Sequence, residues 1–562
     1  MTMLRGWILV PILALAVVGQ PASSRTPAKF RISGTVVDAV GGGVLPDTEV
    51  SIALSQAEGL QQTVTTGPDG RFEFDGLAAA KYAMTARNRG YRSQGFEEHE
   101  GFFTGIVTGP GMSSEDLMFR LKPDASIGGT VSDEFNEPAA LAHVLLFRTG
   151  MRDLSQMVLI QSEVITDDTG HFHFSHLQEG TYYVVAYGSP WYAHQEDDQT
   201  DEGVRVRGTA DAADAADASA QVAGSPDTRT FGRHAEFDVA FLTTYYANAN
   251  DAGQATPIVV KAGERATADF HLYAVPAVHL KVHGSAAFAK NPGTATLVEP
   301  IFNYSRQAAV QSATENGAML SGFAPGHYIL QLPSGGNSDV VRQQPLDIAG
   351  DMEVSAGAMG KLTSSVTGTL EGDGGDLPCL RCFVRLTSAS SGEDFGAQIV
   401  GKNFEIDGGV RAGRYLVWLF NAEGYEVRTI AASGARVTGT QVEIPAGAAV
   451  RMTILMTKAL GTIDGIALQD GKPVSQTAVV LLPNDPAHNL VLMRRDQSDS
   501  DGTFTLRHVV PGNYTVIAVA DGWDLDWKDT SVVKAYAGGG EKIYIQPQGG
   551  QYQVKVAVQT KH

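Results

Sequence analysis

The chain is short of the residues that most reactive sites need. It has 2 cysteines among 562 residues, Cys379 and Cys382, and two thiolates alone cannot complete a zinc site. Cationic residues are few: 42 Lys and Arg stand against 62 Asp and Glu, a net charge of −20. Affinity for phosphate backbones and for anionic lipid surfaces comes mainly from Lys and Arg, so this balance argues against both partners. After the N-terminus there is no second apolar run long enough to span a bilayer. No G-x-S-x-G, H-E-x-x-H, Walker lysine loop or G-x-G-x-x-G after a strand occurs. Nothing here argues for an enzyme or implies a cofactor.

What the chain does have is glycine, 63 residues of it, and a recurring pair of alternating strands. The clearest copy is Asp501-Gly502-Thr503-Phe504-Thr505-Leu506, then Val509-Val510-Pro511-Gly512-Asn513-Tyr514-Thr515-Val516. Strand side chains alternate between faces, so Phe504 and Leu506 share one face and Thr503 and Thr505 the other. A second copy is Thr169-Gly170-His171-Phe172-His173-Phe174 with Gly180-Thr181-Tyr182, and a third is Asp69-Gly70-Arg71-Phe72-Glu73-Phe74 with Lys81-Tyr82. Two degenerate copies carry Asn316-Gly317-Ala318-Met319 with Tyr328, and Asn403-Phe404-Glu405-Ile406 with Tyr415. A leading strand repeats too: Ile32-Ser33-Gly34-Thr35-Val36-Val37-Asp38, Ile127-Gly128-Gly129-Thr130-Val131-Ser132-Asp133, Val366-Thr367-Gly368 and Ile463-Asp464-Gly465. A Pro turn follows in the first and last copies, at Pro46 and Pro473. Repeats of about 100 residues are too long for a solenoid and indicate self-contained domains in tandem.

The pattern predicts an all-β protein of tandem prealbumin-like or Ig-like antiparallel sandwiches. The expected boundaries are a signal peptide over 1–24, then modules over 27–123, 125–275, 276–357, 361–457 and 459–562. An acidic Ala/Asp-rich insertion, 194–235, interrupts the second and has little to bury. Short linkers such as Lys122-Pro123-Asp124 predict beads with restricted hinges. The N-terminus has a basic start, a short apolar run from Trp7 to Val18 and small residues to Ser24, the layout of a cleaved secretory signal. The expectation is export to the periplasm, the outer surface or the medium, with no membrane span in the mature chain.

These strand and turn motifs resemble the carboxypeptidase regulatory-like domain, a transthyretin-like sandwich. Modules one, two and five carry its pattern most fully. The tail of module two, Tyr245-Tyr246 with Ala255 to Glu264, resembles tandem-repeat secreted proteins of Gram-negative soil bacteria. The resemblance implies a folding, adhesive or carbohydrate-binding-like accessory module, without the catalytic domain that carries proteolysis in such enzymes. A fold hosts many functions, so this specifies architecture more than activity.

Several local patterns bear on chemistry. His176-Leu177-Gln178-Glu179 fits a zinc H-x-x-E, yet it falls in a turn between repeat strands. His171 and His173 share a strand face opposite Phe172 and Phe174, which reads as a solvated face. Asp496 to Gly502 resembles a calcium loop but has His508 where an EF-hand needs Glu, so it reads as an Asp-rich turn. Asp521, Asp524, Asp526 and Asp529 form a second acidic loop. Cys379 and Cys382 enter a strand and read as a structural disulfide of an exported protein. No metal site is expected.

The ligand-binding candidates are aromatics just after the tyrosine strands: Trp523 and Trp527 in the last module, Trp191 and Tyr192 in the second. Flat rings beside carboxylates suit stacking on sugars; the same rings could instead pack between modules. The functional expectation is a non-catalytic exported binding or scaffold protein of the cell envelope, with polysaccharide or an envelope protein as partner. The alternative is a protein-interaction or accessory subunit of a secreted peptidase or glycoside hydrolase.

Overall fold

The computed structural model describes residues 29–55, 61–152, 155–193, 237–284, 293–313, 317–333, 341–355, 363–373, 381–422 and 424–561. The expected signal peptide, the acidic insertion and Cys379 lie outside the described residues.

The protein is all-β, built from sheet pairs in series. In the first module one sheet joins Arg71–Leu77, Phe30–Asp38 and Leu117–Leu121. The other joins Gln62–Thr65, Glu49–Leu54, Lys81–Arg87 and two short strands, Gln94–Gly95 and Ile106–Val107. The leading strand runs antiparallel to the strand of the D-x-G-x-F motif and parallel to a closing strand. The same arrangement, with a parallel partner drawn from the module's end, recurs in all five modules. In the last module the closing strand Gly550–Gln559 also touches Ala518 and Val519 of the second sheet, so the two sheets run into one.

The repeated residues have specific jobs inside this frame. The leading-strand glycine leaves room for the motif phenylalanine and for the neighbouring backbone. A Cβ on Gly34 would lie 2.1 Å from Leu117 O and 2.9 Å from Phe72 Cζ. On Gly368 it would lie 2.3 Å from Phe404 Cζ, and on Gly465 2.1 Å from Phe504 Cζ. Both halves of the pair change in the third module, where Val282 sits opposite Ala318. The bulk has moved across the strand pair, which explains why that copy is hard to see in sequence yet closes the same way. Core volume is what packing conserves, not residue identity.

The motif tyrosine anchors the turn before its own strand. Its hydroxyl donates to the carbonyl four residues upstream in every module: Tyr82 to Ala78, Tyr182 to Gln178, Tyr328 to Ala324, Tyr415 to Arg411 and Tyr514 to Val510. The distances run from 2.6 to 3.3 Å. A buried phenol needs such a partner, and here it also fixes the corner between the sheets.

Each module has its own core, and further apolar clusters join neighbours. Leu145, Phe147, Val185 and Tyr245 of the second module pack on Ile301 and Phe302 of the third. Leu416 and Trp418 of the fourth meet Val480, Leu482, Ile517 and Val519 of the fifth. The beads expected from short linkers are therefore fused through shared apolar faces. The second acidic loop leads into a helix, Thr530–Ala537, that the strand pattern did not suggest. Asp529 caps it, accepting from Ser531 N at 2.7 Å.

Candidate functional site: the junction of the first, second and last modules

Polar chemistry concentrates where the first and last modules meet. The turn of the clearest repeat, Asp499 to Gly502, is pinned by Gly502 N donating to Asp499 O at 2.8 Å. Gly502 has φ +80°, a left-handed conformation that glycine adopts without a Cβ penalty. This turn faces the first module. Asp499 Oδ1 accepts from Gly105 N at 3.0 Å, and its carboxylate pairs with Lys81. Ser500 Oγ accepts from Val107 N at 2.9 Å, while Ser500 N donates to Gly105 O at 3.0 Å. Gln497, fully buried, donates through Nε2 to Glu97 O and Thr104 Oγ1 at 2.8 and 2.7 Å.

Aromatic groups flank these bonds. The His99 imidazole stacks on Trp523, centroids 5.3 Å apart and planes 4° apart; Phe102 lies 5.7 Å from the same indole. Arg495 sits 5.1 Å over Phe102 and 3.7 Å from Glu100. Burial holds the Asp499 carboxyl up at about 6 despite the Lys81 ammonium and the Gly105 amide, with nearby Asp496 pushing the same way. Burial also raises Asp496, Glu97 and Glu100.

The calcium-like loop is thus a docking turn. Asp496 Oδ2 accepts from Thr505 N at 2.8 Å, Asp499 holds the first module, and Asp501 Oδ1 accepts from Thr503 at 3.0 and 2.6 Å. Among the described residues, no group of three or more His, Cys, Asp or Glu is placed to hold a metal ion. His176 carries φ +57° and meets Asp124 at 2.5 Å. His171 and His173 are exposed on their strand, as the alternation required.

The aromatic candidates part company. Trp523 is 7% exposed and is stacked between modules. Trp527 is buried against Tyr536 of the helix, 5.9 Å between centroids. For this pair the geometry is that of packing, with no open ring face offered to a ligand. Trp191, by contrast, is 80% exposed, edge-on to Tyr192 at 5.7 Å. The Tyr192 hydroxyl donates to Glu134, and its ring lies 6.2 Å from the exposed Phe135. Cys382 is fully buried.

The docking contact escaped sequence reasoning because its members lie 393 to 400 residues apart. The signal that was available is the density of Tyr, Phe and Gly between Arg87 and Gly111, the loop that supplies the first module's half. No helix among the described residues is long and apolar enough to cross a membrane.

No curated protein matches the chain in sequence. Among solved structures it is similar to the Bacillus anthracis TIE protein, at 12% identity over 78% of this chain and 75% of that one, TM-score 0.17. It is also similar to GBS52, the minor pilin of Streptococcus agalactiae, at 12% identity over 44% and 96%, TM-score 0.21. A third is BcpA, the major pilin subunit of Bacillus cereus, at 10% identity over 77% and 99%, TM-score 0.12. Scores this low say nothing of module arrangement or function. Residues 31–101, within the first module, match the family model of the carboxypeptidase regulatory-like domain.

Proposed function

We propose that this chain is a non-catalytic exported scaffold or binding protein of the cell envelope. The observation that carries it is the use made of the polar turn Asp496 to Gly502. The Asp499 carboxylate, the Gln497 amide and the Ser500 hydroxyl are occupied in holding the first module against the last, while Asp496 and Asp501 brace the turn itself. The repeated Gly, Phe and Tyr residues are likewise engaged in packing and corner bonds. Modules that grip each other hold a fixed relation, which is what a scaffold supplies to partners. In this reading the N-terminal 24 residues are removed on export and Cys379 pairs with Cys382.

The outward-facing ligand candidate in this reading is the Trp191 and Tyr192 cluster, with polysaccharide or an envelope protein as its partner. Co-sedimentation of the purified mature protein with isolated envelope polysaccharide, and crosslinking in intact cells, test it. Binding that weakens on Trp191→Ala supports the sugar partner; retention only through crosslinked protein supports the other. Turnover of a peptide or glycoside by the purified chain would sink the non-catalytic reading. Free-thiol titration of the unfolded, unreduced protein should give no thiol.

A further inference from the structure

Three modules carry an aromatic residue nine positions after the corner tyrosine: Tyr91 after Tyr82, Trp191 after Tyr182 and Trp523 after Tyr514. Two of the three lie where one module meets another. Tyr91 pairs with Pro123 of the linker, and Gly90 O beside it accepts from Asp124 N at 3.0 Å, where the second module begins. Its hydroxyl donates to Asp38 Oδ2 at 2.5 Å, which fixes the ring at that junction. Trp523 receives His99 at 5.3 Å and Phe102 at 5.7 Å, both from the first module. Trp191 holds the same position in the second module and is 80% exposed among the described residues. Phe135, which packs on its neighbour Tyr192, is 67% exposed. Clustered rings held in solvent mark an interaction surface, whereas single exposed apolar side chains need no explanation.

The two filled positions indicate the occupant of the third, because in both the ring is met by polypeptide. Ring geometry agrees. Trp191 and Tyr192 lie at 89° to each other and Phe135 and Tyr192 at 62°, with centroids 5.7 and 6.2 Å apart. Rings set across one another offer no coplanar platform to a sugar chain and suit side chains inserted among them. Charge narrows the partner. The two loops at this end, 133–142 and 188–193, hold Asp133, Glu134 and Glu137 and no Lys or Arg. Where the first module meets the last, the two sides share the charges: Arg495 of the receiving module lies 5.1 Å over Phe102 and 3.7 Å from Glu100 of the arriving loop. At Trp191 the receiving loops bring carboxylates alone, so the arriving loop has to bring the cation, which an exposed indole also attracts. A second copy of this chain fits poorly, since bodies of net charge −20 repel each other. We propose that the Trp191 end of the second module docks a loop of a partner protein that carries Lys or Arg next to an aromatic ring. This rests on reading Trp191 and Tyr192 as the outward binding site and selects protein over polysaccharide as its partner.

Photo-crosslinking of the full chain in the cells that make it tests the proposal. Benzoylphenylalanine replaces Phe135, one exposed ring for another, and Tyr544 of the last module, 53% exposed, is the control position. The expected result is a protein adduct at 135 that 544 does not give, joined through a peptide with Lys or Arg within a few residues of an aromatic ring. Trp191→Ala and Glu137→Lys alter exposed side chains, so both variants should fold. Each should cut the yield of that adduct about tenfold. An adduct only on polysaccharide, only on residues 194–236 of the same chain or only on a second copy overturns the proposal. So does a crosslinked peptide without a cation, an adduct that both variants leave unchanged, or no adduct. The polysaccharide result would leave the outward site and the scaffold reading standing; turnover of a substrate by the purified chain is the separate result that removes the scaffold reading.

Discussion

The loops carrying Trp523 and Trp191 leave equivalent strands of equivalent sandwiches and end in opposite environments. Each follows the strand whose tyrosine donates to the carbonyl four residues back, Tyr514 in one case and Tyr182 in the other. Trp523 is covered by His99 and Phe102 of the first module. Trp191 is 80% exposed. Nothing in either loop alone dictates this. The difference is which module arrives to cover the ring, and it shows that a repeated position can be core in one copy and surface in the next.

Mutations can break this comparison. The largest effect is expected from Trp523→Ala. Removing a buried indole costs about 3–5 kcal/mol, so the contact between end modules should open. Exchange of the Gly105 and Val107 amides, which donate to Asp499 and Ser500, reports that opening directly. Retained protection there would show that Trp523 is not part of the clasp. Next comes Lys81→Ala, which leaves Asp499 buried and unpaired. Lys81 is a quarter exposed, so the cost should fall below that of a fully buried pair, about 2 kcal/mol. The same amides read it out, and the penalty should shrink below pH 6, where Asp499 can take up a proton.

Acidity sharpens the comparison without mutation. Asp499 is raised to about 6 by burial, against about 3.9 in an unfolded chain. Between those values the folded state binds more protons than the unfolded state. Stability of this contact is therefore greatest at and below about pH 4, falls as pH rises towards 6, and levels off above it. Asp496, Glu97 and Glu100 are raised by burial too and act in the same direction. Amide protection at Gly105 should be higher at pH 5 than at pH 7.5; the reverse order would contradict the burial of these carboxyls.

Smaller effects test what the two loops share. Tyr514→Phe and Tyr182→Phe each remove one hydrogen bond, for about 1 kcal/mol apiece in denaturant melts. A large difference between them would mean that the corner bond has different roles in the two modules. Trp191→Ala should change stability by less than about 0.5 kcal/mol, as for other exposed positions. A loss as large as that from Trp523 would place Trp191 in an unseen contact.

Much of the fold could be read from the sequence, because the strand period and turn residues act locally. Gly502 announces a turn and Phe504 and Leu506 an inward face within a few residues of each other, and Gly465 announces the close approach on the leading strand. Alternation also marks the closing strand Leu117–Leu121 and the core of Gly550–Gln559. Segments such as Val479 to Leu482 and Val516 to Val519 are apolar at every position, which marks strands buried on both faces. That signal for shared faces lies in the sequence, while the short linkers read as restricted hinges between beads. The helix Thr530–Ala537 was hidden because Asp529 reads equally as one more turn carboxylate or as a cap.

The sequence by itself determined the repeating sandwich, since alternation and turns are properties of neighbouring residues. Only the tertiary structure decided which aromatic loops were covered and that Asp499 would face Lys81. Those contacts join residues hundreds of positions apart. Their energy depends on how rigid modules stack, and no local pattern records that.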